Sequence, residues 1–134
     1  MFRPLSLFSL LVIGAILGCG ESSNSKARKT LEEVAVKGSV TIGGKPLADG
    51  EIYFIVSGYA PNTIAIKNGE YKGTAKAGNN RVEIRSWEAG PPLSTDPTNQ
   101  PTKVNTIPSE FNDASKLTAE IVSKAENSFN FKTP

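Results

Sequence analysis

The side chains that most often perform catalysis or bind metals are scarce in this chain. Its 134 residues include no histidine and a single cysteine, Cys19. Histidine is the commonest general base and metal ligand, so its absence excludes Ser-His-Asp and Cys-His sites and any zinc site with a histidine ligand. One cysteine cannot form an internal disulfide. The sequence therefore predicts no cofactor and no metal, and an enzyme would need carboxylates or a lysine.

Two sets of the remaining reactive residues are compatible with chemistry. Glu83 and Glu120 could act as the paired carboxylates of a hydrolase. Lys37, Asn130 and Glu120 are the residue types of a lysine–asparagine crosslink, which also needs the acid to be buried and the strands to be adjacent. Nothing in the spacing brings either set together, and charged residues on alternating strands usually form the solvated face. We therefore expect no enzyme and keep a carboxylate hydrolase as the third hypothesis.

Aromatic and proline residues are better candidates for binding. Those that could form a binding surface lie near turns or a long loop: Trp87, Tyr59, Pro91 and Pro92, with Tyr53 as a further aromatic residue. A tryptophan at a strand end beside a long loop suits a sugar-stacking platform. The alternatives are that Trp87 packs beneath Pro91 and Pro92, that Tyr59 belongs to a plain turn, and that the loop is a tolerated insertion.

The charge of the chain does not indicate a nucleic-acid partner. Fifteen basic and thirteen acidic residues leave a formal net charge of +2, and the basic residues are scattered along the sequence. Nucleic-acid binding proteins instead collect lysine and arginine on one face.

The N-terminus has the layout of a secretory signal peptide. Arg3 supplies a positive charge, residues 5–17 are mostly apolar, and small residues follow. The apolar run is shorter than the roughly 20 residues that span a bilayer. The run Ile16-Leu17-Gly18-Cys19 resembles a bacterial lipobox, in which the cysteine is acylated and becomes the mature N-terminus.

This resemblance implies a cleaved lipoprotein signal peptide over 1–18 and an acylated Cys19 at the start of a flexible polar tether over 19–33. A tether of that length reaches about 20 Å. The expected location is the bacterial cell envelope, on the outer membrane or its periplasmic or exterior face. An uncleaved anchor, or a secreted protein with an incidental cysteine, is the alternative.

Residues 34–134 have the alternating pattern of an all-β domain. Period-two hydrophobicity bounded by glycine, proline and asparagine turns predicts seven short strands, at 34–42, 51–56, 63–66, 70–74, 81–87, 117–122 and 127–132. In the fifth strand, Val82 and Ile84 are expected to point inward and Glu83 and Trp87 outward. Residues 88–106 are expected to be one long irregular loop, because four prolines interrupt them. Seven strands of this kind indicate a β-sandwich.

Four motifs in order resemble the carboxypeptidase regulatory-like, or transthyretin-like, domains. They are the opening VKGSVTIGGKPLADGEIYF at 36–54, the hairpin KNGEY at 67–71, the strand GNNRVEI at 78–84, and an ending from IPSEFND at 107–113 to Phe131. The resemblance implies a small Ig-like sandwich of the kind common in bacterial surface lipoproteins. The hairpin lacks the family's leading acids, so no calcium site is implied. The histidines of hydroxyisourate-hydrolysing relatives are missing, which excludes that activity.

These observations lead to one expected function and one alternative. We expect a non-enzymatic, lipid-anchored envelope protein whose sandwich is a structural or interaction module for an envelope protein or polysaccharide. The alternative is a carbohydrate-binding module that uses Trp87 and the proline-rich loop.

Overall fold

A computed structural model of the protein describes residues 29–134, and its secondary structure is almost entirely β. Cys19, the signal peptide at 1–18 and the tether as far as residue 28 lie outside the described residues. The strands are β1 (Glu33–Ile42), β2 (Lys45–Pro46), β3 (Asp49–Ile55), β4 (Asn62–Lys67), β5 (Glu70–Lys76), β6 (Gly78–Arg85), β7 (Trp87–Gly90), β8 (Thr102–Asn105), β9 (Leu117–Ile121) and β10 (Asn127–Thr133). One turn of 3-10 helix covers Ser109–Phe111. Within this part of the chain, no helix has the length and apolarity that crossing a membrane requires.

Seven strands form a continuous hydrogen-bonded path in the order β10-β1-β5-β4-β3-β6-β9, and the short β2 pairs with β1. These seven are the strands that the sequence pattern predicts, so the all-β fold class is confirmed. All pairings along the path are antiparallel except that of β1 with β10.

The path folds over itself between β4 and β5. Asn68 and Gly69, with φ of 50° and 79°, form the tight hairpin that their sequence predicts. The two strands pair only next to this turn, and farther along, the Ile64 side chain packs over Gly73 instead. As a result β10-β1-β5 faces β4-β3-β6-β9, and the chain forms a β-sandwich.

The core lies between these two layers. Val36 and Val40 of β1 are buried in the same hydrophobic cluster as Ile52 and Phe54 of β3. The Phe54 ring contacts the Tyr71 ring of β5 across the sandwich, with 5.9 Å between their centroids. Alternation along each strand places one face in this core and the other in solvent.

Gly38 allows β1 and β10 to approach each other closely. A Cβ at this position would lie 1.7 Å from the main-chain oxygen of Phe129 and 2.7 Å from the Tyr71 hydroxyl. The Tyr71 hydroxyl instead crosses this space and donates a 2.8 Å hydrogen bond to the Phe129 oxygen. The pairing of β1 with β10 runs through Gly38 without a bulge, so the glycine is needed for the close approach.

Candidate functional site

The segment after β6 folds back on itself as a two-stranded ribbon. Strands β7 and β8 pair with each other in a sheet separate from the main one. We define residues 87–105 as the ribbon. The prediction of an irregular segment over 88–106 was therefore wrong, because two short strands flank the prolines. All four prolines lie between the strands, where the missing N–H groups interrupt no ladder.

Hydrogen bonds hold both ends of the ribbon. At its tip, the Asp96 carboxylate accepts hydrogen bonds from the Thr98 main-chain N–H at 2.8 Å and hydroxyl at 2.7 Å. These bonds hold the pKa of Asp96 below its usual value. At its base, the Thr106 N–H donates to the Ser86 oxygen at 2.8 Å, and the Ser86 hydroxyl donates to the Asp49 oxygen of β3, also at 2.8 Å. The ribbon is therefore a built element attached to the main sheet.

The ribbon carries most of the large apolar side chains that are exposed in the described part of the chain. Trp87 is 43% exposed, Leu93 61% and Val104 46%, and only Val122 is comparable elsewhere among these residues. The register puts Trp87 opposite Asn105 on one face of the ribbon, so Val104 lies on the other face. Apolar surface is thus available on both sides of the ribbon and near its tip.

Trp87 lies at the base of the ribbon beside a shallow hollow. The hollow has a volume of about 240 Å³, and its lining residues are Asp49, Gly50, Glu51, Ala65, Lys67 and Trp87. Pro91 and Pro92 follow the far end of β7, and neither of them lines the hollow. A partly exposed indole beside carboxylates and a lysine offers both a stacking face and hydrogen-bonding groups.

The hollow is only partly visible in the sequence. Trp87 was a candidate, but its neighbours Asp49, Glu51 and Lys67 were not. They come from β3 and β4, about 20 to 40 residues earlier in the chain. No local pattern around them indicates a site, because their proximity to Trp87 depends on strand order.

Tyr59 lies at the opposite end of the sandwich. Its hydroxyl donates a 2.6 Å hydrogen bond to the main-chain oxygen of Lys29, where the described chain begins. It follows the end of β3, whereas Trp87 follows the end of β6, and these two strands are antiparallel. Trp87 and Tyr59 therefore do not share a surface, and a platform that uses both is not assembled.

Tyr53 lies between these two ends on the outer face of β3. Its hydroxyl donates a 2.5 Å hydrogen bond to Glu51, and the Arg85 guanidinium lies 5.3 Å from the centre of its ring. Burial, followed by the hydrogen bond to Glu51, raises the pKa of Tyr53 to about 12. Arg85 thus covers a ring face that sugar stacking would require.

Glu83 is buried, although strand alternation predicts that it points into solvent. Its residue exposure is 5%, and its carboxylate forms ion pairs with Arg81 at 2.5 Å and Arg85 at 2.7 Å. Arg85 also pairs with Asp113 at 2.7 Å, and its hydrogen bond to Glu83 is the main cause of its raised pKa. The segment after the ribbon packs against β6 here, with the Ser115 hydroxyl bonded to the strand, and excludes water from a nominally outer position.

The carboxylate pair is not assembled. Glu120 is exposed and pairs with Asn79, four residues along β6 from Glu83. That separation is about 13 Å along the strand. Because Glu83 is already occupied by two arginines, these acids do not line a common cleft.

The crosslink set is not complete either, although Lys37 and Asn130 lie on adjacent strands and line one groove. In the register of β1 and β10, Lys37 lies opposite Ser128, and Asn130 lies opposite Ser39. Glu120 is exposed and cannot be the buried acid. Across residues 29–134 there is also no group of three or more Asp, Glu, Cys or His side chains that could hold a metal ion.

Comparisons with known proteins give one structural similarity. No protein-family model and no curated protein matches the chain. The chain is similar to the crystal structure of a DUF3823 family protein from Parabacteroides merdae, with 17% identity and a TM-score of 0.39. The match covers 78% of this chain and 48% of that one, so this chain spans less than half of that protein's length. The assignment of the fold rests on the strands and their pairing.

Proposed function

We propose that this protein is a non-enzymatic, lipid-anchored component of the bacterial cell envelope whose sandwich presents the ribbon to an envelope protein. The observation that carries the proposal is the concentration of Trp87, Leu93 and Val104 on one hydrogen-bonded projection. Exposed apolar side chains that gather on one element, rather than scatter singly, are typical of interaction surfaces.

The position of the ribbon relative to the start of the domain supports this role. Lys29 is held by the Tyr59 hydroxyl at the end of the sandwich where β1 begins. The ribbon leaves β6 at the other end, and the ten residues of β1 separate the two ends by about 33 Å. If Cys19 is acylated, the chain enters the domain from the anchor at the end opposite the base of the ribbon.

Sequence resemblance supports the envelope location and the family. The run from Ile16 to Cys19 resembles a lipobox, and two acyl chains provide stable anchoring where one does not. The four ordered motifs resemble transthyretin-like domains of bacterial surface lipoproteins. The glycine and proline residues of the first motif lie in the segment that connects β1, β2 and β3.

The experiment that tests the ribbon is affinity capture from envelope extract. Residues 29–134 are immobilised in three forms: unchanged, with L93S and V104T together, and with V122T as the matched control. Val122 is 52% exposed but lies outside the ribbon. We expect one protein species to be retained by the unchanged and V122T forms and lost from the double variant. Equal retention by all three forms, or no retention, would contradict the proposal.

The hollow at Trp87 supports carbohydrate binding as a second candidate function. The specific observation is the partly exposed indole beside Asp49, Glu51 and Lys67. Trp87 is the sole tryptophan of the chain, so intrinsic fluorescence reports on this site alone. A neutral glycan that stacks there should shift or quench the emission, and E51Q should weaken the effect. A panel of envelope glycans that leaves the emission unchanged would reject this candidate.

A further inference from the structure

Two lysines face each other on the outer surface of the β10-β1-β5 layer. Lys37 of β1 lies directly opposite Lys72 of β5, and both side chains are exposed. Residues in this relation have Cβ atoms about 5 Å apart, and like charges placed so are destabilising. The pairing is therefore unfavourable for folding unless a negative group lies between the two ammonium groups.

These lysines border a groove on the surface of the sandwich. The groove has a volume of about 640 Å³, and its lining includes Lys37, Lys67, Lys72, Ser39, Ser128 and Asn130. Glu70 is the sole acid among its lining residues. Small residues such as Ser39 and Ala65 also line the groove, among the longer lysine side chains.

The polar groups of the groove are mainly donors. The Asn130 side-chain oxygen accepts hydrogen bonds from the Ser39 N–H at 3.0 Å and hydroxyl at 2.9 Å. This arrangement orients the Asn130 amide and leaves its NH₂ group to donate. Among the ion pairs of residues 29–134, Lys37 pairs with Glu126 and Lys67 with Asp49, both at exposed positions, and none involves Lys72. A ligand with negative groups can thus bind without displacing a buried contact.

We propose that this groove binds an anionic polysaccharide, whose carboxylate or phosphate groups bridge Lys37 and Lys72 and accept a hydrogen bond from Asn130. Ammonium groups and amide donors both form charge-assisted hydrogen bonds with such oxygens. A concave surface favours a flexible polymer over a bilayer, because a flat membrane contacts the rim and does not reach the floor. The groove extends from the outer face of the β10-β1-β5 layer onto β4, where it shares Ala65 and Lys67 with the hollow beside Trp87. Lys37, Lys72 and Asn130, which carry this inference, do not line that hollow.

The test measures binding of the full chain, purified in a neutral detergent, to three probes. Polygalacturonate supplies carboxylates, dextran is a neutral polymer, and phosphatidylglycerol vesicles supply anionic headgroups on a flat surface. The test variant is the double substitution K37Q/K72Q. The matched control is K45Q/K116Q, which removes the same charge from exposed positions outside the groove. E70Q is compared with E120Q in the same way. Circular dichroism and thermal unfolding verify that each variant folds.

We expect the full chain to bind polygalacturonate and not dextran, with affinity falling as salt rises. Loss of two exposed ion pairs should lower the affinity of K37Q/K72Q about tenfold, while K45Q/K116Q changes it less than about twofold. E70Q should bind more tightly, and E120Q should not. Three outcomes would each overturn the proposal. The first is an equal effect of the two double lysine variants, and the second is no binding to polygalacturonate. The third is binding to vesicles alone that depends on Lys37 and Lys72.

Discussion

Replacing Gly38 by alanine tests whether the close approach of β1 and β10 holds the sandwich together. The added Cβ would lie 1.7 Å from the Phe129 main-chain oxygen. This atom belongs to the backbone of β10, so no side-chain rotation relieves the clash and the strand itself must move. Movement of β10 away from β1 also lengthens the 2.8 Å hydrogen bond from the Tyr71 hydroxyl to that oxygen.

The magnitude follows from two contributions. Overpacking of a well-packed interior costs about 1–3 kcal/mol, and the upper half of that range applies where backbone must shift. Loss of the tyrosine hydrogen bond adds about 1 kcal/mol. We therefore expect G38A to lower the free energy of unfolding by about 3–4 kcal/mol, a large part of the roughly 5–15 kcal/mol of a typical domain. In a domain of this size, the midpoint of thermal unfolding should fall by about 12–32 °C.

The assay is unfolding of residues 29–134 by urea and by heat, with circular dichroism as the signal that is measured. The matched control is G73A, whose Cβ would have atoms of the Ile64 side chain as its nearest contacts, at 2.9 Å, and a side chain can move more easily than a strand backbone. G73A should cost about 1 kcal/mol, at the lower end of overpacking. If G38A costs less than G73A, β10 is not pressed against Gly38 and the explanation given for this glycine is wrong.

Three further predictions concern single side chains. The substitution E83Q leaves two arginines facing an uncharged group. Because both arginines are partly exposed, we expect the free energy of unfolding, measured in urea, to fall by about 2 kcal/mol. The exposed control E120Q should lower it by less than about 0.5 kcal/mol. Burial raises the pKa of Tyr71 above the ordinary tyrosine value of about 10. Above pH 10 the unfolded chain therefore releases a proton that the folded protein keeps. The contribution of Tyr71 to stability should be complete below pH 10 and should fall as the pH rises further. Y71F should be less stable than the unchanged protein at pH 7, and its stability should decline less steeply above pH 10 in the same assay. Equal slopes for the two proteins would refute the assignment of this pH dependence to Tyr71. Acrylamide should quench Trp87 fluorescence in the folded protein, since the side chain is 43% exposed, and strong protection would contradict the described base of the ribbon.

The strands of the sandwich were predictable because their signals are local. Alternation of apolar and polar residues over 34–42 has a period of two, which any extended chain with one buried face requires. The Asn68-Gly69 turn was predictable for the same reason, since both residues adopt positive φ without help from distant contacts. The buried positions of Val82, Ile84 and Phe131 follow from this alternation.

The ribbon could not be predicted in the same way. Its first strand, Trp87–Gly90, contains glutamate, alanine and glycine, which have weak preference for strands, and four prolines follow before its partner. Pairing of β7 with β8 depends on contacts across the intervening turn rather than on the composition of either strand. The sequence did indicate that this segment differs from the rest of the domain.

By itself, the sequence determined the fold class, the seven main strands and the Asn68-Gly69 turn, because each depends on neighbours along the chain. Only the tertiary structure decided that Glu83 is buried between two arginines, that Trp87 and Tyr59 lie at opposite ends, and that Lys37 faces Lys72. These arrangements depend on strand order and register, which bring together residues that are far apart in sequence. The physical reason is that burial and charge at a surface position are set by whatever packs across it, and local alternation carries no information about that neighbour.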